Sequence, residues 1–255
     1  MSYHSHIACI SPGKPNRGFT LVEMAIVLAI VALLLGSLLP TISSQIEQQH
    51  RNETRKQMNE IKEALIGFAT INGRLPCPAN GTIATGQANA GLEATTGSGS
   101  AMTCTSVTSS AAWGVLPWAT LGVSETDSWG RRFTYRVTAA FADGADGTGC
   151  AGNITVGVSF QLCSAGNLNV LSAATGGINI AGGIPTVIVS HGTNGLGAYT
   201  ITGQQLPGAT GDESENANND NNFVSHDFSP TFDDLVVWVS PNILANRMVT
   251  VSKLP

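Results

Sequence analysis

A nearly uninterrupted apolar segment close to the N-terminus limits what this chain can fold into more than any other feature. Residues 19–39 read FTLVEMAIVLAIVALLLGSLL, and Glu23 is the one ionisable side chain among them. As a helix, these 21 residues span roughly 30 Å at about 1.5 Å per residue, which is the thickness of a bilayer's hydrocarbon core. The sequence therefore predicts a transmembrane helix over residues 19–40.

Glu23 needs an explanation of its own, because a carboxylate at bilayer depth costs roughly 2.5 to 3.5 kcal/mol even on a lenient scale. Either the side chain snorkels to the membrane edge, or a cation meets it. Lys14 and Arg17 precede the run, and no A-x-A-like cleavage site follows it, which argues against a discarded secretory signal. An ordinary signal anchor with a cytoplasmic N-terminus is the simplest alternative.

A second helical segment follows over residues 41–73. Its apolar side chains recur at spacings of three and four, as in a helix that packs one face on a core. These residues are Met58, Ile61, Leu65, Phe68 and Ile71. We predict one helix from Phe19 to Asn72, with a kink or weak point where Pro40 offers no N–H to the carbonyl of Gly36.

The remaining residues, 74–255, predict a β-rich head. Five short runs rich in β-branched and aromatic residues are separated by Gly, Asn and Asp turns: RRFTYRV, NITVGVSF, PTVIVS, AYTIT and DDLVVWV. Residues 79–112 are poor in charge and rich in Ala, Gly, Ser and Thr, which predicts a long surface excursion. The expected fold class is α+β, with the long helix packed on an antiparallel sheet.

The cysteines favour an oxidising compartment for this head. Cys77, Cys104, Cys150 and Cys163 follow the apolar run, without a C-x-x-C pair or histidines at metal-finger spacing. Four cysteines allow three connectivities, and loop length favours Cys77 with Cys104 and Cys150 with Cys163. Four unrelated buried thiols are the alternative.

The N-terminal residues GFTLVEMAIVLAIVALLL, with Gly18, Phe19 and Glu23, resemble the start of type IV prepilins and type II secretion pseudopilins. The resemblance rests on a basic leader, a Gly-Phe junction, an acid four residues after the Phe and an apolar helix. It implies a leader over residues 1–18, cleavage after Gly18 by a prepilin peptidase, methylation of Phe19 and stacking of the helices in a filament. Gly36 and Pro40 lie where pilin helices are often broken.

This resemblance agrees with the physics of Glu23. Cleavage creates an ammonium group at Phe19, and the Glu23 carboxylate of an axially offset neighbour has the right sign to neutralise it. In a low-dielectric setting, leaving either charge alone costs several kcal/mol, so the pair would penalise wrong registers. We therefore interpret Glu23 as an assembly residue.

Two motifs in the head extend the resemblance. TDSWGRRFTYRV, which contains Asp127, is similar to a turn and strand of the major pseudopilin, and SHGTNGLG followed by FDDLVVW resembles its glycine-rich loop and acidic closing strand. The unmatched stretches between them favour a minor subunit. In that family calcium binds between the loop and the closing strand, which transfers to Asn194 and Asp234.

Further oxygen ligands lie close to these residues in sequence, at Asp212, Asp220 and Asp233. The run DESENANND is not an EF-hand, because Ala217 stands where that loop needs Gly and Phe223 where it needs Glu. Asn194 also departs from the Asp that the family favours. A solvated acidic loop is therefore the alternative to a calcium site.

Other function classes fit less well. From Arg74 onward there are six basic and twelve acidic residues, a net charge of 6 − 12 = −6, which would repel a phosphate backbone. Ser190 and His191 are adjacent, but Ile188 stands where a nucleophile elbow needs Gly, so we expect no enzyme.

We therefore expect an inner-membrane, single-pass precursor with a periplasmic head that joins a type IV pilus or a type II secretion pseudopilus. Its partners would be the prepilin peptidase, other pilin subunits and the inner-membrane assembly platform. A filament-borne adhesin is the alternative class. The choice between pilus and secretion system stays open at this point.

Overall fold

A computed structural model describes residues 18–147 and 154–255, and within the N-terminal helix it leaves the side chains of residues 36–43 undescribed. Contacts divide the chain into a first unit that ends at Ile46 and a second unit, Glu47–Pro255. The mixture of an N-terminal helix and a sheet-based head confirms the α+β class.

The described residues form four α-helices and twelve strands, named here in chain order. The helices are α1 (Leu21–Asn72), α2 (Trp118–Leu121), α3 (Asp212–Ala217) and α4 (Pro241–Thr250). The first strands are β1 (Thr95–Thr96), β2 (Thr103–Cys104), β3 (Val107–Thr108), β4 (Ala111–Val115), β5 (Arg131–Arg132) and β6 (Thr134–Thr138). The others are β7 (Leu168–Leu171), β8 (Asn179–Ile184), β9 (Thr186–Ser190), β10 (Tyr199–Thr200), β11 (Asn222–Val224) and β12 (Leu235–Val239).

The predicted helix from Phe19 to Asn72 is present almost as expected. It begins at Leu21, because Thr20 is its N-cap, and it ends at Asn72, before Gly73 takes a φ of +73°. In the second unit Met58, Ile61 and Leu65 are fully buried, which confirms that part of the predicted packing face. The prediction for Ile71 was wrong, since its side chain is 75% exposed and Ala69 takes the buried place instead.

An antiparallel five-stranded sheet forms the centre of the second unit, with the strand order β12-β9-β6-β4-β3. Side chains alternate between its two faces, as the pleat requires. Ile188 points to the face that contains Leu65 of α1, while Val187 and Val189 point to the opposite face. Both faces of this sheet are therefore buried.

A second sheet covers the face opposite α1. Its order is β11-β7-β8, and β11 pairs with β7 in parallel, so the head is not purely antiparallel. Leu168, Val170 and Phe223 from this sheet pack on Val187 and Val189. Helix α4 lies on the α1 side, where Leu244 and Met248 join the main core. This second layer and α4 were not predicted.

The strand predictions had mixed outcomes. PTVIVS and DDLVVWV contain β9 and β12, RRFTYRV contains β5 and β6, and AYTIT contains the short β10. NITVGVSF was wrong over its described residues, 154–160, which contain no strand. Gly157 forms a turn there at a φ of +81°, and the Ser159 N–H bonds to the carbonyl of Gly73 rather than to a partner strand.

Residues 79–112 are less irregular than expected. They contain the small β1-β2 hairpin and the start of β4, and Ala111 and Ala112 are fully buried. Cys77 and Cys104 form a disulfide, which confirms the predicted pairing and ties this segment to the end of α1. Cys163 is also disulfide-bonded, but its predicted partner Cys150 lies outside the described residues.

Removing the described disulfide should destabilise the head. The bridge joins residues 27 apart in sequence, and closing a loop of that length in the unfolded chain is worth about 3.5 kcal/mol. We expect the double variant Cys77→Ala with Cys104→Ala to lose about that much unfolding free energy in denaturant titrations followed by tryptophan fluorescence. Ser106→Ala, an exposed change in the same segment, is the control. Equal midpoints for the double variant and the wild type would contradict this expectation.

Candidate functional site

The N-terminal end of α1 is built from Thr20 and Glu23. The Glu23 N–H donates to Thr20 Oγ1 at 3.2 Å, and the Thr20 N–H donates to Glu23 Oε2 at 2.9 Å. The Thr20 hydroxyl also donates to Oε2, at 3.0 Å. This reciprocal arrangement is a capping box, which satisfies two backbone donors that the helix itself leaves unpaired.

The capping box adds a role for Glu23 that the sequence analysis missed. The sequence does contain the pattern of a capping box, because Thr20-Leu-Val-Glu23 has its T-x-x-E spacing. Both bonds from Thr20 end on Oε2, and among the described residues no hydrogen bond engages Oε1. One oxygen of Glu23 therefore serves its own helix, and the other stays available to an external donor. Gly18 and Phe19 immediately precede the box and are exposed.

The side chains that follow are apolar and exposed on every side of the helix. Leu21 is 88% exposed and Leu33 is 75% exposed, although they occupy different faces of the helix. In the described part of the chain, no helix has both the length and the apolar character needed to cross a membrane. The membrane span over residues 19–40 stays a prediction.

The backbone of α1 is helical through Gly36 and Pro40. The helical backbone is not interrupted at these two residues. The weak point predicted there stays a prediction.

A second candidate site lies in the head, where Glu213, Asp233 and Asp234 converge. Each of them offers a carboxylate oxygen, and these oxygens all lie within 4.8 Å of one another. Asp233 and Asp234 immediately precede β12, and Glu213 lies in the first turn of α3. Glu213 and Asp234 are buried, at 4% and 5% exposed. We call these three residues the acidic cluster.

Two asparagines hold the acidic cluster in place. Asn194 donates its backbone N–H to Asp233 Oδ2 at 2.9 Å and its Nδ2 to both oxygens of Glu213 at 3.0 Å. Asn216 donates its Nδ2 to Asp234 Oδ2 at 2.8 Å. Among the residues that the structure describes, Asp233 Oδ1 and Asp234 Oδ1 are then buried without a hydrogen-bond partner.

The electrostatics of the cluster are unfavourable in the absence of a cation. Burial, together with repulsion from Glu213, raises the pKa of Asp233 to about 6 and raises the pKa of Asp234 well above its ordinary value. The neighbouring His191 does not compensate them, because burial and then the charge of Arg131 lower its pKa to about 4. Its Nδ1 lies 3.8 Å from Asp234 Oδ1 and is itself buried, with no hydrogen-bond partner in the described part of the chain.

The acidic cluster overlaps only partly with the ligands expected from the sequence. Asn194, Asp233 and Asp234 come together as expected, while Asp212 and Asp220 are not members of the cluster. Asp212 Oδ1 accepts the Ala174 N–H and its Oδ2 contacts His226, and Asp220 accepts the Asn222 N–H. Glu213 was missed, because nothing in the run DESENANND shows that a helical turn would direct its second residue inward.

The residues at Ser190 and His191 do not form a nucleophile and base pair. The Ser190 hydroxyl donates to Asp127 Oδ2 at 2.6 Å, while His191 Nε2 lies 2.8 Å from Thr134 Oγ1. Asp127 also accepts the N–H groups of Trp129 and Arg131, so it organises the turn before β5. The contacts of Ser190 and Asp127 are therefore structural.

Comparison with known protein families decides what the N-terminal segment is. Residues 13–39 match the model of the prokaryotic N-terminal methylation motif. This motif is the signature of the prepilin-type segment of type IV pilins and pseudopilins. It implies processing by a prepilin peptidase and assembly with other pilins, and it indicates a structural protein. No curated protein and no solved structure matches the chain at a significant level.

The capping box makes a prediction for the prepilin-type segment. Thr20→Ala should destabilise the first turn of α1 by about 1 kcal/mol, because it removes the side-chain acceptor of the Glu23 N–H. We expect amide exchange of Glu23 to become roughly five-fold faster in detergent micelles, measured by NMR. Thr20→Ser, which keeps the hydroxyl, should exchange like the wild type. Equal rates in the alanine variant would contradict the box.

The raised pKa values predict a pH dependence of stability. The folded protein holds the proton of Asp233 up to a pH of about 6, while the unfolded chain releases it near its ordinary value of 3.8. Folding therefore favours the protonated form, so the stability that this group contributes is present at low pH and is lost as the pH rises through about 6.

We expect the melting temperature of Asp233→Asn, relative to that of the wild type, to rise as the pH increases from 4 to 7.5, in buffer with a chelator. Differential scanning calorimetry measures it. Glu60→Gln changes a carboxylate that is 63% exposed, so its melting temperature should follow that of the wild type across the pH range. A constant difference between Asp233→Asn and the wild type across this pH range would refute the expectation.

Proposed function

We propose that this protein is a structural subunit, and more specifically a minor one, of a type IV pilus or a type II secretion pseudopilus. The observation that carries the proposal is the prepilin-type motif at residues 13–39, followed by the capped apolar helix and the folded head. In this proposal, Gly18 and Phe19 flank the cleaved bond, and the new amino group of Phe19 is methylated.

The exposure of the apolar residues supports an assembled state. Phe19 and Leu21 are more than 80% exposed in the single chain, and a continuous apolar surface of this kind needs a cover. Before assembly the cover would be the inner membrane, with the head in the periplasm. In the filament it would be the same helix of neighbouring subunits.

The available oxygen of Glu23 supports a role in assembly. Thr20 holds Oε2, which fixes the carboxylate at the helix end, and Oε1 can accept a bond from the Phe19 ammonium of a neighbour. Such a pair within an apolar axis would be strongly destabilised by any register that leaves one charge alone. Gly36 and Pro40 would allow local unwinding of α1 when the subunit leaves the membrane for the filament.

The proposed partners are the prepilin peptidase, other pilin or pseudopilin subunits and the inner-membrane assembly platform. A minor subunit is favoured over a major one, since the head carries a second sheet and α4 in addition to the central sheet. No catalytic step and no nucleic acid is part of this proposal.

The processing step gives the first test of this proposal. Mass spectrometry of the mature protein should find a chain that begins at methylated Phe19, because the peptidase removes residues 1–18. Gly18→Ala should retain the leader in part or in full, while Thr20→Ser should be processed normally. Mature protein that still begins at Met1 would refute the proposal.

The assembly step is tested separately in cells with Glu23→Gln, which should be cleaved normally and still fail to enter filaments. Incorporation at the wild-type level would exclude the proposed charge pair. Loss of filaments or of secretion when the gene is deleted supports an assembly role. Intact filaments that fail to attach would support the adhesin class instead.

We also propose that the acidic cluster binds calcium. The specific observation is that Asp234 Oδ1 and His191 Nδ1 are both buried at the cluster without a hydrogen-bond partner among residues 18–147 and 154–255. No described Lys or Arg forms a salt bridge there. Oxygen ligands from three carboxylates fit a hard divalent cation, and Glu213, Asp233 and Asp234 would hold it. The ion would supply the positive charge that the carboxylates lack, and its role would be structural.

Calcium should therefore raise the stability of the head. At 1 mM CaCl₂ we expect a higher melting temperature in the wild type than with a chelator, because an ion that binds only the folded state stabilises it. Asp234→Asn and Glu213→Gln should lose this response, and Glu60→Gln should keep it. An unchanged melting temperature in the wild type, together with no heat of binding in calorimetry, would exclude the calcium site.

A further inference from the structure

The glycine-rich segment Ser190–Gly197, called here the SHG loop, contacts the acidic cluster on one side and α1 on the other. Two adjacent residues make these contacts. Asn194 bonds to Asp233 and Glu213 through its backbone and side-chain nitrogens. The hydroxyl of Thr193 donates in a short hydrogen bond to Glu47 Oε1 on α1.

Glu47 is the point at which several parts of the second unit meet α1. Besides Thr193, its carboxylate accepts from Arg51 Nε at 3.2 Å and from Trp129 Nε1 at 3.4 Å. Partial burial works to raise the pKa of Glu47, but the hydrogen bonds from Thr193, Arg51 and Trp129 outweigh it, and the pKa lies below its ordinary value. The carboxylate is therefore charged at neutral pH. The guanidinium of Arg51 also lies 3.4 Å from the centre of the Phe228 ring.

The two glycines that flank Thr193 and Asn194 in the SHG loop lie close to neighbouring residues, with no room for a side chain. Gly192 has a φ of +55°, and a Cβ on it would lie 2.4 Å from the carbonyl oxygen of Asp233. Gly195 has a φ of +64°, and a Cβ on it would collide with the side chain of Arg131. The Gly195 N–H also closes the loop on the carbonyl of His191 at 2.8 Å. Asn194 and Thr193 are neighbours within this closed turn, so we expect a shift of one to displace the other.

One cavity connects the two sides of the loop. It has a volume of about 360 Å³, and its walls include Glu47 and Arg51 from α1 as well as Glu213 and Asp233 from the acidic cluster. Phe228 and Phe232 supply its apolar wall. A cation that reaches the acidic cluster through this cavity passes the side chains that bind the loop to α1.

We propose that cation binding at the acidic cluster is coupled to the attachment of α1 at Glu47, and that Thr193 transmits this coupling. The inference rests on the calcium proposal above and adds its regulation. A cation would neutralise Asp233 and Glu213, fix Asn194 against them and thereby hold the Thr193 hydroxyl on Glu47. By linkage, the protein binds the cation more tightly when the Thr193 hydroxyl is bonded to Glu47, and the bound cation in turn stabilises that hydrogen bond.

The coupling places Thr193 and Glu47 as positioning residues, since neither is a member of the acidic cluster. Its consequence for a pilin-type subunit is that a divalent cation would determine how firmly the head holds the first turns of α1 that belong to the second unit. Calcium-free subunits would have a looser α1 from Glu47 onward. Calcium-loaded subunits would have a fixed one.

The test uses the full mature chain in detergent micelles, with CaCl₂ as the only probe. Calorimetry measures the calcium affinity, and hydrogen exchange with mass spectrometry measures protection of residues 47–54 and 190–197. In the wild type, calcium should slow exchange in both segments. Thr193→Val should bind calcium about five-fold more weakly, the low end of typical coupling factors, and should lose the calcium-dependent protection of residues 47–54 alone.

Two matched variants exclude a general folding defect. Thr193→Ser keeps the hydroxyl and should restore both the affinity and the protection. Thr96→Val removes the hydroxyl of another threonine that makes a side-chain hydrogen bond, far from the loop in sequence, and should behave like the wild type. Glu47→Gln should reproduce Thr193→Val, because a neutral amide accepts the hydroxyl more weakly.

The outcomes separate this inference from the one it rests on. If the wild type binds calcium and Thr193→Val matches it in affinity and in protection of residues 47–54, the coupling is wrong and the calcium site stands. If the wild type binds no calcium, the proposal of a calcium site is wrong and the proposed coupling is wrong as well.

Discussion

Burial of the central five-stranded sheet on both faces is the constraint on which the rest of the head depends. β9 has no exposed residue, since Ile188 meets the α1 side and its neighbours Val187 and Val189 meet the opposite side. A sheet of this composition would expose an apolar face if either cover were absent. Helix α1 with α4 forms one cover, and the β11-β7-β8 sheet forms the other. The part of α1 from Glu47 onward is therefore a structural part of the head, while the side chains of residues 19–35 are exposed.

The parts of this fold that the sequence predicts are those with a strong local signal. The length of α1 follows from its apolar pattern and from the Asn72-Gly73 end, and β9 and β12 follow from compact β-branched runs. The second sheet was not predictable in the same way, because Asn179–Ile184 contains two glycines and its outer side chains are exposed. Its strands pack on the other face of β9, which is a tertiary contact and not a local pattern. Helix α4 did have a local signal, since Ser-Pro at its start is a common helix beginning.

The two candidate sites also differ in how far the sequence alone can predict them. Gly18, Phe19 and Glu23 lie within one stretch of six residues, so a local motif can point to them without any knowledge of the fold. The acidic cluster combines Glu213 with Asp233 and Asp234, twenty residues away, and sequence alone supplied Asp212 and Asp220 as equally good oxygen donors. The choice between them depends on which side of α3 faces the core, and that is decided by the packing of Asn216 against Asp234 and Val224. Tertiary contacts of this kind leave no local pattern.

The buried carboxylates of the acidic cluster also destabilise the folded state, and this is the strongest physical reason to expect a ligand there. Two buried aspartate oxygens that have no partner among the described residues each lose the hydrogen bonds that water supplies in the unfolded chain. Protonation of Asp233 and Asp234 would relieve the repulsion, but at neutral pH it opposes the ordinary ionisation of a carboxylic acid. Amide groups at these positions would remove the negative charges and keep an oxygen that accepts from Asn194 and Asn216. Carboxylates at such a point are physically sensible when a cation offsets their charge, and in our proposal the SHG loop would then connect that cation to α1.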